Sequence, residues 1–167
     1  MKEITLIGEV GYEITLERVR LEVGDSDNVK INIFSVGGSV VEGLAIYDFL
    51  KNKDIQFVIE GLVASIATVI TCAGKVKMGE GFFMIHNPFG LTIGTDEDMK
   101  KDAETLKKMK EKIVDIYKKK TGLNGDDIKE MMNKDTWMDA EEAFEKGFID
   151  EVNEYKNNIA NSMNLDR

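Results

Sequence analysis

Residues 55–74 read IQFVIEGLVASIATVITCAG, and the fold turns on how this stretch is divided. Ile55–Ile59 has the β-branched and aromatic content of a short strand. Glu60–Ala64 reads as a small-residue turn, and Ile66–Ala73 is an almost wholly apolar run closed by Gly74, the pattern of a buried helix. Ser65 stands between turn and helix. Unpaired N–H groups and the positive end of the helix converge at such a junction. That setting suits a nucleophile, whereas a small polar residue gains little inside an apolar helix.

Working outward, the same alternation recurs on both sides. Ile4–Val10 is a strand, and Leu16, Val19, Leu21 and Val23 mark a short helix. Val29–Phe34 is a second strand, ending at Ser35-Val36-Gly37-Gly38-Ser39, where glycine lets backbone N–H groups approach a ligand. Val40–Lys51 has helical spacing. Strand, helix, strand, helix at these intervals predicts an α/β fold of parallel β-α-β units with right-handed crossovers. Downstream, Lys75–Gly81 reads as turn-rich, and Phe82–Ile85 is a fourth strand that delivers His86.

Asp96–Lys120 is then a long charged helix, with an acidic first turn, a basic last turn and Gly122 as its stop. Its apolar stripe runs through Met99, Ala103, Leu106, Met109, Ile113, Ile116 and Tyr117. About 25 residues would reach about 37 Å, more than a small domain needs, so this helix is expected to pack on another subunit. Residues 125–133 and 139–146 are short helices, and 148–152 is a last strand. A single domain over residues 1–152 is expected, with residues 96–121 as the protruding helix and 153–167 as a polar C-terminal tail.

Charge and composition narrow the function. A net charge of −9 disfavours nucleic acid and anionic membranes as partners. No stretch reaches the ~18 apolar residues of a membrane span, and Met1 leads straight into a strand without a signal peptide, so a cytoplasmic protein is expected. The one cysteine, Cys72, lies in the apolar run and reads as a small buried thiol. With one histidine and no second thiol, neither a metal nor another cofactor is expected.

Loops after parallel strands are where α/β proteins place ligands. Here successive strand ends offer backbone donors (Gly37-Gly38), a hydroxyl (Ser65) and an imidazole (His86). A serine nucleophile needs a base and an oxyanion site, and both could lie here. A surface histidine with a packing serine fits the spacing as well, so at this point both readings stand.

The wording of four blocks separates them. Gly61-Leu62-Val63-Ala64-Ser65-Ile66-Ala67, with Ala73-Gly74 downstream, resembles the nucleophile segment of the Clp protease proteolytic subunit (ClpP) family. Met84-Ile85-His86-Asn87-Pro88 resembles its histidine segment, and Ser35-Val36-Gly37-Gly38-Ser39-Val40 its oxyanion segment. Asp135-Thr136-Trp137-Met138-Asp139-Ala140-Glu141-Glu142-Ala143 and Gly147-Phe148-Ile149-Asp150 are similar to its third triad segment. The blocks come in family order from Ile4 to Val152. Within the family, His-Asn-Pro and Asp-Thr-Trp are closest to the ClpP-related head maturation proteases of phages and prophages.

The resemblance implies a ClpP/crotonase-type fold with a handle helix and a serine endopeptidase. It implies Ser65 as nucleophile, His86 as general base and then acid, and Asp135 as the carboxylate behind the imidazole. Asp139, close by, is the better candidate for a helix cap. The N–H groups of Gly38 and Ile66 would form the oxyanion hole. Trp137 is expected as a packing anchor under the Asp135 loop.

The partners implied are a protein or peptide substrate, a homo-oligomeric ring (a heptamer or stacked rings) and a capsid or scaffold precursor. An ATPase partner is not expected, because the chain opens at the first strand, without the segment that forms the family's axial loops. One departure is Val36 where the family has proline, which loosens the loop but leaves the Gly38 donor in place. A housekeeping subunit working with an unfoldase, a crotonase-like acyl-CoA enzyme and a catalytically idle ring subunit are the alternatives; no coenzyme A signature is present.

Overall fold

The computed structural model describes residues 1–153. The expected polar tail lies, beyond Asn153, outside the described residues. The elements follow as β1 (Lys2–Val10), α1 (Leu16–Val23), β2 (Asn28–Gly38), α2 (Val40–Leu50), β3 (Asp54–Ala64) and α3 (Ile66–Thr71). Then come β4 (Lys75–Ile85), α4 (Asp96–Thr121), α5 (Gly125–Asn133), β5 (Thr136–Met138), α6 (Ala140–Glu145) and β6 (Glu151–Val152).

The strands form one six-stranded sheet in the order β1-β2-β3-β4-β5, with β6 also on β4. β1 to β4 are mutually parallel, as the alternation of strands and helices predicts. The far edge of β4 is divided between two partners: β6 runs parallel at Lys77–Met78 and β5 antiparallel at Phe83–Ile85.

Three strands are longer than their sequence pattern. The segments read as turns at 35–39, 60–64 and 75–81 belong largely to β2, β3 and β4. Each ladder shifts register part-way, between Ile7 and Glu9, Ile33 and Ser35, and Ile59 and Gly61, and then continues. Glycine reads as a breaker, but here it marks a bulge and a close backbone approach. A Cβ on Gly81 would come within 2.2 Å of the Gly61 carbonyl oxygen, so these two strands come this close only because residue 81 carries no side chain. β5 has too few residues for any pattern, and the last strand is confined to Glu151–Val152, so residues 148–150 precede it.

Helices α2 and α3 pack together and on the sheet, so α3 is buried throughout, as its apolar run requires. Gly43 allows that contact, since a Cβ there would meet Ile66 Cγ1 at 2.3 Å. The 26-residue α4 opens with a capping box, in which Thr95 accepts from the Asp98 N–H and Asp98 from that of Thr95, and closes on Gly122 in the left-handed region. At ~1.5 Å per residue it is about 39 Å long. Only Ile113, Val114, Ile116 and Tyr117 are buried. Leu106 and Met109 are half-buried, while Met99 and Ala103 on the same stripe are exposed, so the N-terminal part of the helix protrudes. No described helix is long and apolar enough to cross a membrane.

Candidate active site

The ends of β2, β3 and β4 meet at one edge of the sheet. Ser65 follows β3 directly, and its N–H donates to the Met84 carbonyl at 2.9 Å, tying it to the strand that carries His86. Its backbone sits at φ 58°, ψ −135°, a region non-glycine residues avoid. A strand-to-helix elbow of this kind lifts a side chain out of the turn. Ser65 stands at the N-cap position of α3 but makes no side-chain cap bond. Its hydroxyl is instead 2.7 Å from His86 Nε2. For that hydroxyl to donate, the imidazole must carry its own proton on Nδ1. The His86 ring meets Phe89 edge to face at 5.7 Å between centroids.

The end of β2 closes over the serine. A Cβ on Gly37 would lie 2.5 Å from Ser65 Cβ and 2.9 Å from the Ala64 carbonyl oxygen. A Cβ on Gly38 would lie 2.2 Å from the Val10 carbonyl oxygen. Both glycines have positive φ, at 99° and 142°. The Gly37 N–H is held by Ser35 Oγ at 3.1 Å, and the rung opposite Val10 is closed by the Ser39 N–H at 2.8 Å. Gly38 keeps its own N–H outside that rung. The Ile66 N–H is one of the N-terminal donors of α3 that lack a partner within the helix.

Asp135 is held differently. The β4–β5 ladder pairs Phe83 with Met138, Met84 with Trp137 and Ile85 with Thr136. The next rung would set His86 against Asp135, but the ladder stops one pair short. Asp135 turns aside at φ 50°, is exposed, and has no side-chain hydrogen bond to His86 among the described residues. Ser65 and His86 are therefore joined, and Asp135 lies one register step beyond the last ladder pair, beside His86 but without a hydrogen bond to it.

Next to this gap, Asn133 Oδ1 accepts from both Asn87 Nδ2 and Lys110 Nζ, each at 2.9 Å, linking the end of α5 to the histidine loop and to α4. Asn87 Oδ1 is buried without a partner. Asp139 caps α6, accepting from the Glu142 N–H at 2.8 Å. Trp137 is 54% exposed and packs edge to face on the equally exposed Phe82, so it lies on the open side of the sheet and is not a buried anchor.

Two features escaped the sequence pattern. One is the part played by Gly37, offered by the sequence as a backbone donor: its N–H is taken by Ser35 Oγ, and its missing side chain makes room for Ser65. The other is a chain of buried hydroxyls: Thr68 Oγ1 lies 2.6 Å from the Ser65 carbonyl oxygen and 2.6 Å from Tyr117 Oη. Thr68 carried a signal, being another hydroxyl in an apolar helix, as Ser65 is. Cys72 has a thiol that burial pushes up to about 12, so it stays protonated and is a poor nucleophile at neutral pH. Its Sγ donates to the Thr68 carbonyl at 3.3 Å. No group of three or more metal-ligating side chains is gathered among the described residues.

A family model described as Clp protease matches residues 4–156, nearly the whole described chain. The chain belongs to the Clp protease family. Among its relatives is the ATP-dependent Clp protease proteolytic subunit of Bacteroides fragilis, 34% identical over 136 residues, which are 78% of this chain and 66% of that protein. The subunit of the same name from Streptococcus mutans is 37% identical over 77% of this chain and 71% of its own length. Proteolytic subunit 3 of Rhodococcus jostii is 33% identical over 90% of this chain and 80% of its own length. The match thus spans about two thirds of the Bacteroides Clp subunit.

Proposed function

We propose that this Clp-family chain is a serine endopeptidase subunit. The observation that carries the reading is the 2.7 Å contact between Ser65 Oγ and His86 Nε2, made by a serine on a strained elbow. Ser65 Oγ attacks the scissile carbonyl carbon while its proton passes to His86 Nε2. The oxyanion that forms is received by the N–H groups of Gly38 and Ile66, each worth about 3 kcal/mol by analogy with other serine hydrolases. His86 then gives its proton to the leaving amine, and the C–N bond breaks to leave an acyl ester on Ser65. A water, deprotonated by His86, releases the second product and restores the serine.

Asp135 completes the triad by accepting from Nδ1–H, a step that needs its loop to move toward His86. A homo-oligomeric ring, heptameric or of stacked rings, is the setting in which that shift would occur, since α4 protrudes with its N-terminal part exposed. The physiological role proposed is head maturation, cleaving a capsid or scaffold precursor, on the strength of His86-Asn87-Pro88 and Asp135-Thr136-Trp137. A second reading, a housekeeping subunit served by an unfoldase, is favoured by the names of the relatives, which are ATP-dependent proteolytic subunits.

Labelling with a fluorophosphonate tests the chemistry. Modification is expected at Ser65 and should be lost in His86→Ala, whereas absence of labelling in every assembled state would sink the proposal. Light scattering that finds only an 18.8 kDa species would remove the ring. Peptide cleavage without nucleotide, unchanged by an added unfoldase and ATP, favours the maturation role; nucleotide-dependent degradation of folded protein favours the housekeeping one.

A further inference from the structure

We propose that Thr68 and Tyr117 are positioning residues that aim the Ile66 N–H at the oxyanion. The proposal rests on the catalytic reading above and extends it to two residues that touch neither substrate nor the reacting atoms. The Ser65 carbonyl accepts twice from Thr68, at 3.0 Å from its N–H and 2.6 Å from its hydroxyl. The Thr68 hydroxyl spends its one proton on that carbonyl, so at the 2.6 Å contact with Tyr117 Oη it accepts and the phenol donates. Protons along this chain all point one way, from Tyr117 to Thr68 to the Ser65 carbonyl, an arrangement in which each bond polarises the next. Both side chains are buried, Thr68 at 0% and Tyr117 at 1% exposure, and the low-dielectric surroundings strengthen the chain.

The consequence follows from the geometry of one peptide unit. The Ser65 carbonyl and the Ile66 N–H belong to the same planar trans amide, so they point in opposite directions. Fixing the carbonyl inward, toward α3 and the buried foot of α4, fixes the N–H outward, on the side where charge would develop. The elbow needs such a restraint, because Ser65 at φ 58° has no favourable backbone well to hold this plane unaided. Ser65 makes no side-chain cap bond to α3, and the Thr68 hydroxyl is the side chain that ties the Ser65 peptide to the first turn. Tyr117 brings the handle into the arrangement: its hydroxyl reaches Thr68 from α4, while its ring packs edge to face on Phe148 at 5.4 Å.

The test compares Thr68→Val, Thr68→Ser, Tyr117→Phe and the Thr68→Val/Tyr117→Phe double variant in the full chain, each at a temperature where circular dichroism shows it folded. Hydrolysis of a fluorogenic peptide and affinity for a peptide boronic acid, which forms a tetrahedral anion on the serine, are the readouts. Thr68→Val should lower kcat about tenfold with KM unchanged, and weaken the boronate by the same factor, because only the anionic state uses the N–H. Tyr117→Phe should lose less, about threefold, because the Thr68–Ser65 bond survives. The double variant should match Thr68→Val alone, since the tyrosine acts through the threonine. Thr68→Ser should keep wild-type kcat, which a purely steric role for the threonine methyl would not allow.

Losses that fall on KM, a Thr68→Ser variant as slow as Thr68→Val, or multiplicative losses in the double variant would overturn the proposal. Wild-type protein that a fluorophosphonate does not label at Ser65 overturns the catalytic reading and this one with it. A labelled, active wild type whose variants keep full kcat and boronate affinity overturns the positioning role alone.

Discussion

The hydroxyl side and the carboxylate side of this site are built to different tolerances. Ser65 is held by a backbone bond to β4, by Gly37 pressed against its Cβ, and by Thr68 on its carbonyl. Asp135, on the other side of His86, sits exposed at the end of a three-residue strand and reaches no partner in the imidazole. On the proposed chemistry, the group that must not move is thus surrounded by atoms, while the one that must arrive is left at the edge of a ladder. A site built this way could be switched by moving the loosely held part, with Ser65 left in place.

Asp135→Asn should break that division most visibly. In the assembled protein, kcat for a fluorogenic peptide should fall by about 10³–10⁴, the scale of losing the carboxylate that orients a triad histidine. A variant that keeps wild-type kcat would show that the carboxylate side never joins the site. Gly37→Ala attacks the rigid side instead. Its new methyl has no room beside Ser65, and φ 99° is costly for alanine. An activity loss of about a hundredfold and a stability loss of about 1–3 kcal/mol should follow, read from kcat/KM and from the denaturant midpoint. Ile66→Val should do least. It keeps the backbone N–H and trims one buried methylene, so kcat/KM should stay within about twofold while stability drops about 1 kcal/mol. A loss comparable to that of Ser65→Ala would mean that the Ile66 side chain, and not its amide, serves the site.

The two sides also differed in how plainly the sequence announced them. Alternation located the strand that ends before His86, but it set a turn between Ile59 and Ser65 where β3 runs on to Ala64, and only the wording of the four blocks singled out the pair as a candidate site. The extent of those strands was not legible. Glycines at 61 and 81 look like breakers when read one strand at a time, yet they are a matched pair across a ladder, and that match is visible only when β3 lies beside β4. β5 was hidden because three residues carry no periodicity, and with it went the register that would set Asp135 opposite His86, one step past the last pair. Thr68 and Tyr117 are far apart in the chain and meet only because the buried end of α4 crosses α3. The protrusion of α4 was foreseen from its length, but its apolar stripe is buried only over its C-terminal part.

The backbone of Ser65 has a further meaning for how such a chain evolves. A left-handed elbow filled by a serine holds strain of about 1–3 kcal/mol that glycine, free at this φ, would release. On the proposed chemistry, drift toward an inactive sequence at this position would run thermodynamically downhill. Thermostability alone would favour glycine here, so on that chemistry it is use of the hydroxyl that would keep a serine at residue 65.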